Sequence, residues 1–320
     1  MSDIRVVGLG ALNIDNIYKV ERILADGEAV AKEAISSPGG SAANTIYGLA
    51  RLGISTGFAG VVGDDTEGKI MLDDFQKAGV ETSQITVKPG SRTGSVFCLS
   101  DSLGRRSLYV SPGANNLLTI DDLDSDYMNK AEILHISSFA DDRQFRVLLK
   151  LVDRLDSSVK VSFTPGALYA TRGLKALAPI LKKTHILFIN QDEIKHLTGK
   201  DITDAAESCL KLGCRIVAVT LGEGKKWKTS TAASYIRDAG NEYIVEPVEK
   251  ETKSTLDTTG AGDAFATGFL YGILRGKELD ECGRLGDITA RFSIAGIGAR
   301  QGLPTLDGLS RRCRELNIKI

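Results

Sequence analysis

The sequence predicts an α/β protein: a mostly parallel sheet covered by helices on both faces, with a small β-sheet projecting from it. Two observations carry this. First, apolar strand-like runs near residues 132–136, 158–163, 185–189 and 215–220 alternate with amphipathic segments near 142–156, 171–183, 192–198 and 203–212. Such alternation pairs strands in parallel and lays right-handed crossovers over the sheet. Second, residues 16–37 mix polar and β-branched side chains without helical period, and residues 95–99 and 107–110 read as a hairpin turning at 101–105. Together these form the smaller sheet, a candidate lid spanning about 13–37 and 93–111.

Composition sets the outer limits. With 42% hydrophobic and 25% charged residues, the chain reads as a soluble globular protein, and its 320 positions suit one large α/β domain or two ordinary ones. Forty basic residues nearly cancel 41 acidic ones, so neither nucleic acid nor a membrane surface is an expected partner. No apolar run approaches the ~20 residues that span a bilayer, and the N-terminus has no signal-peptide layout. Five scattered cysteines without a Cys-x-x-Cys pair suit reduced thiols, and the expected location is cytoplasmic. His135, His185 and His196 show no ligand spacing, and the first two sit inside strand-like runs as core or edge residues.

In chain order, residues 4–9 form a short buried strand leading into Gly8-Leu9-Gly10-Ala11-Leu12-Asn13. This is a broken dinucleotide fingerprint, since Asn13 replaces the third glycine and no amphipathic helix follows. Asn13 and Asp15 read either as polar groups at the end of the first strand, suited to hydroxyls, or as turn formers. Gly39 and Gly40 precede a helix that runs to Leu52 and stops at Gly53, with Ser41 as its expected N-cap and Asn44 one turn in. After a strand at 56–62, Gly63 to Lys69 nearly spells a phosphate loop. Ile70 stands where a magnesium-binding hydroxyl is required, and Asp64, Asp65 and Glu67 would repel a triphosphate. An acidic first turn of a helix ending at Gly79 is the better reading. Arg105 and Arg106 in the hairpin read as solvated.

Catalytic groups in such a sheet follow the strands. Asn190 and Glu193, three apart on an opening helix, read as a capping box or as ligands for hydrated magnesium. Thr220 and Gly222 follow the next strand and fit a phosphate contact or a plain strand-to-loop turn. Strands at 226–230, 232–236 and 242–245 close one sheet edge, and helices at 279–297 and 307–316 finish the chain. The most informative stretch is Asp257-Thr258-Thr259-Gly260-Ala261-Gly262-Asp263, followed by a helical run with Phe265, Phe269 and Ile273 every fourth residue. Small residues at a helix start expose amides at the positive end of its dipole, a site for phosphate or a developing oxyanion. Asp263 would repel a resting phosphate there. It fits a base that takes a proton from a nucleophile attacking phosphorus, or a simple first-turn acid.

With these residues in view the chain resembles the ribokinase family, the PfkB carbohydrate kinases, over nearly its whole length. Gly39-Gly40-Ser41-Ala42-Ala43-Asn44 with Gly60 and Gly63 resembles the amino-terminal signature, and residues 257–263 the carboxy-terminal one. Asn190 with Glu193, and Gly298-Ala299 with Pro304, resemble two further elements. The resemblance implies a three-layer αβα sandwich with a β lid, using ATP and Mg2+ to phosphorylate a primary hydroxyl of a sugar or nucleoside. It implies Asp263 as base, with Gly260, Ala261 and Gly262 as the anion hole. Asn13, Asp15, Gly39, Gly40 and Asn44 would hold the acceptor; Asn190 and Glu193 would organise magnesium; and Thr220 and Gly222 would line the ATP site. Asp257, Thr259 and Gly298 would suit a monovalent cation such as K+, and the lid is a candidate homodimer contact.

Two positions depart from the family pattern. Lys225 replaces the last glycine of the nucleotide strand, and Ser41 stands where ribokinases usually carry lysine. The Ser-Ala-Ala-Asn variant is similar to nucleoside kinases, whereas the stretch from Gly104 to Asn115 is similar to ribokinase. Two other classes remain open: a non-catalytic sugar- or nucleoside-binding protein, and a nicotinamide oxidoreductase resting on residues 8–13.

Overall fold

The computed structural model describes residues 4–101, 106–227, 230–249 and 256–320. The chain opens with β1 (Val6–Leu9), β2 (Asn13–Val20), β3 (Glu33–Gly39), α1 (Ser41–Arg51), β4 (Thr56–Gly63) and α2 (Thr66–Ala78). Next come β5 (Ile85–Lys88), β6 (Gly94–Asp101), β7 (Arg106–Ser111), α3 (Ser125–Asn129), β8 (Ile133–Ser137) and α4 (Asp142–Arg154). The alternation continues through β9 (Lys160–Thr164), α5 (Gly166–Ala170), α6 (Gly173–Leu181), β10 (Thr184–Asn190), α7 (Gln191–Thr198), α8 (Ile202–Leu212) and β11 (Ile216–Trp227). Last are β12 (Ser230–Arg237), β13 (Glu242–Val245), α9 (Ala261–Leu274), α10 (Leu279–Ile294) and α11 (Leu306–Glu315).

The main sheet has the order β13-β12-β11-β10-β9-β8-β1-β4-β5. Every neighbouring pair from β11 to β5 is parallel, while β12 and β13 add an antiparallel edge. Period-two alternation supplies apolar groups to both faces. Val7, Leu9, Leu134, Ile136, Leu187 and Ile189 enter one core. Val6, Ile133, Ile186 and Phe188 enter the other, beneath α1, α9 and α10. The chain leaves β1 for β4 and β5 on one side and continues through β8 on the other. Sheet order therefore switches beside β1, and ligands of open parallel sheets bind at such a switch, outside the C-terminal strand ends.

The smaller sheet rises at that end, in the order β3-β2-β6-β7. β2 pairs antiparallel with β3 and parallel with β6, and β6 pairs antiparallel with β7. Only residues 10–12 separate β1 from β2, so Asn13 and Asp15 are strand residues rather than turn formers.

Other expectations need correction. Ser41 is the first residue of α1, and Gly40 at φ 104 is its N-cap. The segment expected at 171–183 is α6, which Gly173 opens at φ 78; the short α5 before it was not expected. Thr220 to Gly224 do not end a strand; β11 continues through them as a bulge. Its pairing with β12 jumps from Thr220↔Ser234 to Lys225↔Ala232, because Gly222 and Gly224 adopt φ of 66 and 107, closed to most side chains. The helix expected to reach 297 ends at Ile294. The tip of the expected hairpin turn, with Gly104 and Arg105, and residues 228–229 of the expected strand at 226–230 lie outside the described residues.

The readings of Asp65 and His135 agree with the structure. Asp65 caps α2 by accepting from the Gly68 amide at 2.9 Å, and Gly79 closes that helix in the left-handed region. His135 is buried on β8, where burial pulls its pKa down to about 3. The glycines of the broken fingerprint serve packing: a Cβ on Gly8 would meet Ile46 at 2.4 Å, and one on Gly10 would meet Ser137 Oγ at 2.3 Å. All five cysteines are buried, and none forms a disulfide among the described residues. Among the described residues, no helix is long and apolar enough to cross a membrane.

Candidate active site

α9 begins abruptly because Gly260 sits at φ 76 as its N-cap. A Cβ there would lie 2.5 Å from Ala299 Cβ, so the turn before α9 and the loop after α10 touch only because this residue is glycine. Among the described residues, no side chain caps the helix. The Ala261 amide donates to the Thr258 carbonyl at 3.3 Å, which narrows the expected three-residue anion hole. The Gly262 and Asp263 amides remain at the positive end of the dipole. A Cβ on Gly262 would meet nothing within 4 Å, so this turn faces open space.

Asp263 is partly buried in the first turn of α9, and both its oxygens are engaged. Ser41 Oγ donates to Oδ1 at 2.6 Å, and Asn44 Nδ2 donates to Oδ2 at 2.9 Å. α1 and α9 lie this close because Gly48 has no side chain where Thr267 packs: an added Cβ would be 2.7 Å from the threonine. Burial raises the Asp263 pKa to about 6, with a further push from Glu193, against the hydrogen bonds from Ser41 and Asn44 and the charge of Arg300. A carboxyl poised there is neutral or ionised within the range where a general base works.

The expected acceptor residues gather on β2, β3 and the start of α1. Asn13 pairs with Gly39 across β2 and β3, and its Oδ1 accepts from Asn115 Nδ2 at 2.9 Å. Asn115 also accepts from the Leu12 amide and donates to the Leu12 and Pro112 carbonyls, tying the two ends of the small sheet together. Asp15 lies flat against Gly39, where an added Cβ would stand 2.1 Å from Oδ2. Burial lifts its pKa to about 7, opposed by Arg300 and aided by Asp263 and Asp257. Gly40 at φ 104 lies against the Ala11 carbonyl, which a Cβ would approach to 2.1 Å.

On the other side of Asp263, Asn190 ends β10 and caps α7. Its Oδ1 accepts from the Asp192 and Glu193 amides at 3.0 and 2.8 Å, while Glu193 Oε2 accepts from the Asn190 amide at 3.1 Å. This is a complete capping box, and burial raises the Glu193 pKa. Thr220 is registered beside Asn190 on β11, and exposed Gly222 follows in the bulge. Asp257, Thr259 and Gly298 also meet. Asp257 Oδ1 accepts from the Thr259 amide and hydroxyl at 2.9 and 2.8 Å, and Oδ2 accepts from the Gly298 amide at 2.9 Å.

Sequence reasoning missed three residues at this site. Ser41 was assigned to a cap, and its hydrogen bond to Asp263 spans 222 positions. Asn115 closes the stretch similar to ribokinase, but no role was read for its side chain. Arg300, 5% exposed, is the third: its Nε donates to Asn44 Oδ1 at 2.9 Å. The only sequence signal for it is a charge in the closing loop after Gly298-Ala299.

The site thus sets a helix-borne carboxylate, held by Ser41 and Asn44, beside the N-terminal amides of its own helix. The model of the pfkB family of carbohydrate kinases matches residues 3–306, and the chain belongs to that family as a sugar kinase. A protein of Archaeoglobus fulgidus described as an uncharacterized sugar kinase is 42% identical over 260 residues, covering 80% of this chain and 98% of its own. The ATP-dependent ribose-1-phosphate kinase of Halopiger xanaduensis is 29% identical and covers 96% of this chain and 97% of its own. Among solved structures, the adenosine kinase of Sinorhizobium meliloti superposes with a TM-score of 0.84 at 25% identity, covering 98% of this chain and all of its own.

Proposed function

We propose that this kinase transfers the γ-phosphoryl group of ATP to a primary hydroxyl of a small sugar or nucleoside, with Asp263 as the base. The observation that carries the reading is the Ser41 hydroxyl 2.6 Å from Asp263 Oδ1. An alcohol oxygen already rests on the carboxylate, beside the amides of Gly262 and Asp263. The acceptor hydroxyl takes that place. Asp263 accepts its proton while the acceptor oxygen bonds to the γ-phosphorus in line, and the bond to the β,γ-bridging oxygen breaks to release ADP. The amides at the α9 start meet charge spreading onto the phosphoryl oxygens; removing one such donor typically costs ~100–1000-fold.

Asn13 and Asp15 hold acceptor hydroxyls on β2, and Gly39 and Gly40 let the ligand reach the backbone. The smaller sheet closes over them as a lid and excludes water, a competing acceptor. Thr220 and Gly222 line the nucleotide. Glu193 spends one oxygen on its capping bond, which fits it to hold water on Mg2+ rather than ligate the ion directly. The metal, when bound, offsets phosphate charge. Both Asp257 oxygens accept hydrogen bonds within the 257–259 turn and from Gly298, so K+ there would draw chiefly on neighbouring carbonyls.

A non-catalytic binder would need neither bare amides nor a raised carboxylate. The oxidoreductase reading loses its basis, since the glycines of residues 8–13 pack the core and lead into a strand. The test is an ADP-release screen of ribose, fructose, ketodeoxygluconate and the common nucleosides, with Asp263→Asn as control. Release with at least one acceptor, lost in the variant, is expected. Equal turnover in Asp263→Asn would refute the base.

A further inference from the structure

Asn44 stands between two neighbours of fixed polarity. Arg300 offers only donors, and an ionised Asp263 offers only acceptors. Arg300 Nε donates to Asn44 Oδ1 at 2.9 Å, and Asn44 Nδ2 donates to Asp263 Oδ2 at 2.9 Å. Only one orientation of the amide satisfies both. Arg300 is itself pinned: Nη1 donates to Asp74 Oδ2 at 2.5 Å and Nη2 to the Gly39 carbonyl at 3.3 Å. The rings of Tyr47 and Phe75 hold the guanidinium at 5.1 and 5.0 Å. These contacts join α1, α2 and the end of β3 at one buried point, and each runs to protein groups other than Asp263.

We propose that Arg300 is a positioning residue for phosphoryl transfer: it locks the amide of Asn44, and through it fixes the Asp263 carboxylate toward the acceptor hydroxyl. This rests on Asp263 being the base. The charged groups facing Asp263 give the arrangement a second consequence. Glu193 raises its proton affinity and Arg300 lowers it. Asp15, on β2, is coupled to Asp263, to Asp257 and to the same arginine. Arg300 therefore offsets a cluster of carboxylates while holding the geometry of one. Lysine cannot do both, because a single ammonium lacks the fork that reaches Asn44, Asp74 and Gly39 together.

The test compares Arg300→Met, Arg300→Lys and Asp263→Asn with the parent kinase, on an acceptor found by ADP release. Arg300→Met is expected to lower kcat about 10- to 100-fold, the usual loss for a misplaced reacting group, with KM for ATP within about twofold. It should also move the acid limb of the kcat profile up by about one pH unit, through loss of a nearby cation. Arg300→Lys should leave the limb in place yet lose several-fold in kcat. A folded Arg300→Met protein with parental kcat and limb would overturn the proposal. So would a kcat loss that follows a fall in Tm with the limb unmoved. Should Arg300→Met fail to fold, Arg300→Lys decides: reduced kcat with an unshifted limb supports the lock, and parental kcat overturns it. Retained turnover in Asp263→Asn would overturn the base assignment itself, whereas a dead Asp263→Asn beside a normal Arg300→Met overturns only the role of Arg300.

Discussion

Replacing Asp263 by asparagine should make the protein more stable and nearly inactive, and the two effects share one cause. The folded chain holds this carboxyl at about 6 rather than 3.8, chiefly through burial. A carboxyl that ionises less readily when folded favours folding only while protonated. Its contribution is intact below pH 3.8, declines as pH rises, and is gone above about 6. At pH 8 folding is then less favourable by about 3 kcal/mol than with this carboxyl protonated. Asparagine carries no such cost, and its amide suits both neighbours: Oδ1 accepts from Asn44 Nδ2 while Nδ2 donates to Ser41 Oγ. The expected gain is about 3 kcal/mol at pH 8, shrinking to about 1.5 kcal/mol at pH 5, where the folded carboxyl is largely protonated. Urea unfolding at the two pH values measures it. Turnover should fall by about 100- to 10,000-fold, the usual share of a general base. A variant less stable than the parent at pH 8, or a difference that does not change with pH, would refute the raised carboxyl pKa assigned to this residue.

Three further outcomes follow from the same geometry. In the parent enzyme kcat should rise with pH through about 6 as Asp263 ionises, and Glu193→Gln, which removes a charge that raises this pKa, should move the limb down; a pH–rate series reads both. Gly39→Ala places a methyl within 2.1 Å of the Asp15 carboxylate, so KM for the acceptor should rise about tenfold or more while KM for ATP stays level. Gly260→Ala meets both a φ of 76 and Ala299 Cβ at 2.5 Å; thermal unfolding should show a loss of about 2 kcal/mol, together with a reduced kcat as the amides at the start of α9 shift.

How much of this was legible in the chain depends on the range of the interaction. The parallel sheet was readable because its strands are buried on both faces and so are written as continuous apolar runs, as in 186–189 and 216–219. The start of α9 was readable because a glycine turn followed by an acid is a local pattern with local physics. Ser41 shows where such reasoning fails. A serine just after two glycines and before an apolar helix obeys every rule for an N-cap, yet Gly40 takes that position and frees the hydroxyl for Asp263. The choice is made by the packing of α1 on α9, which no window around Ser41 contains. Asn190 is the reverse: its capping box was readable from spacing and is formed, while any service to magnesium must come from atoms the cap leaves over. Arg300 lies beyond both kinds of signal. Its partners Asn44, Asp74 and Gly39 come from three elements early in the chain, and an arginine in a closing loop is by default a solvated one. Only the fold converts it into a buried cation whose removal would disturb several carboxylates at once. The residues that set the chemistry of Asp263 are thus mostly those whose local context suggests something ordinary, because the site is assembled by helix packing rather than by a contiguous motif.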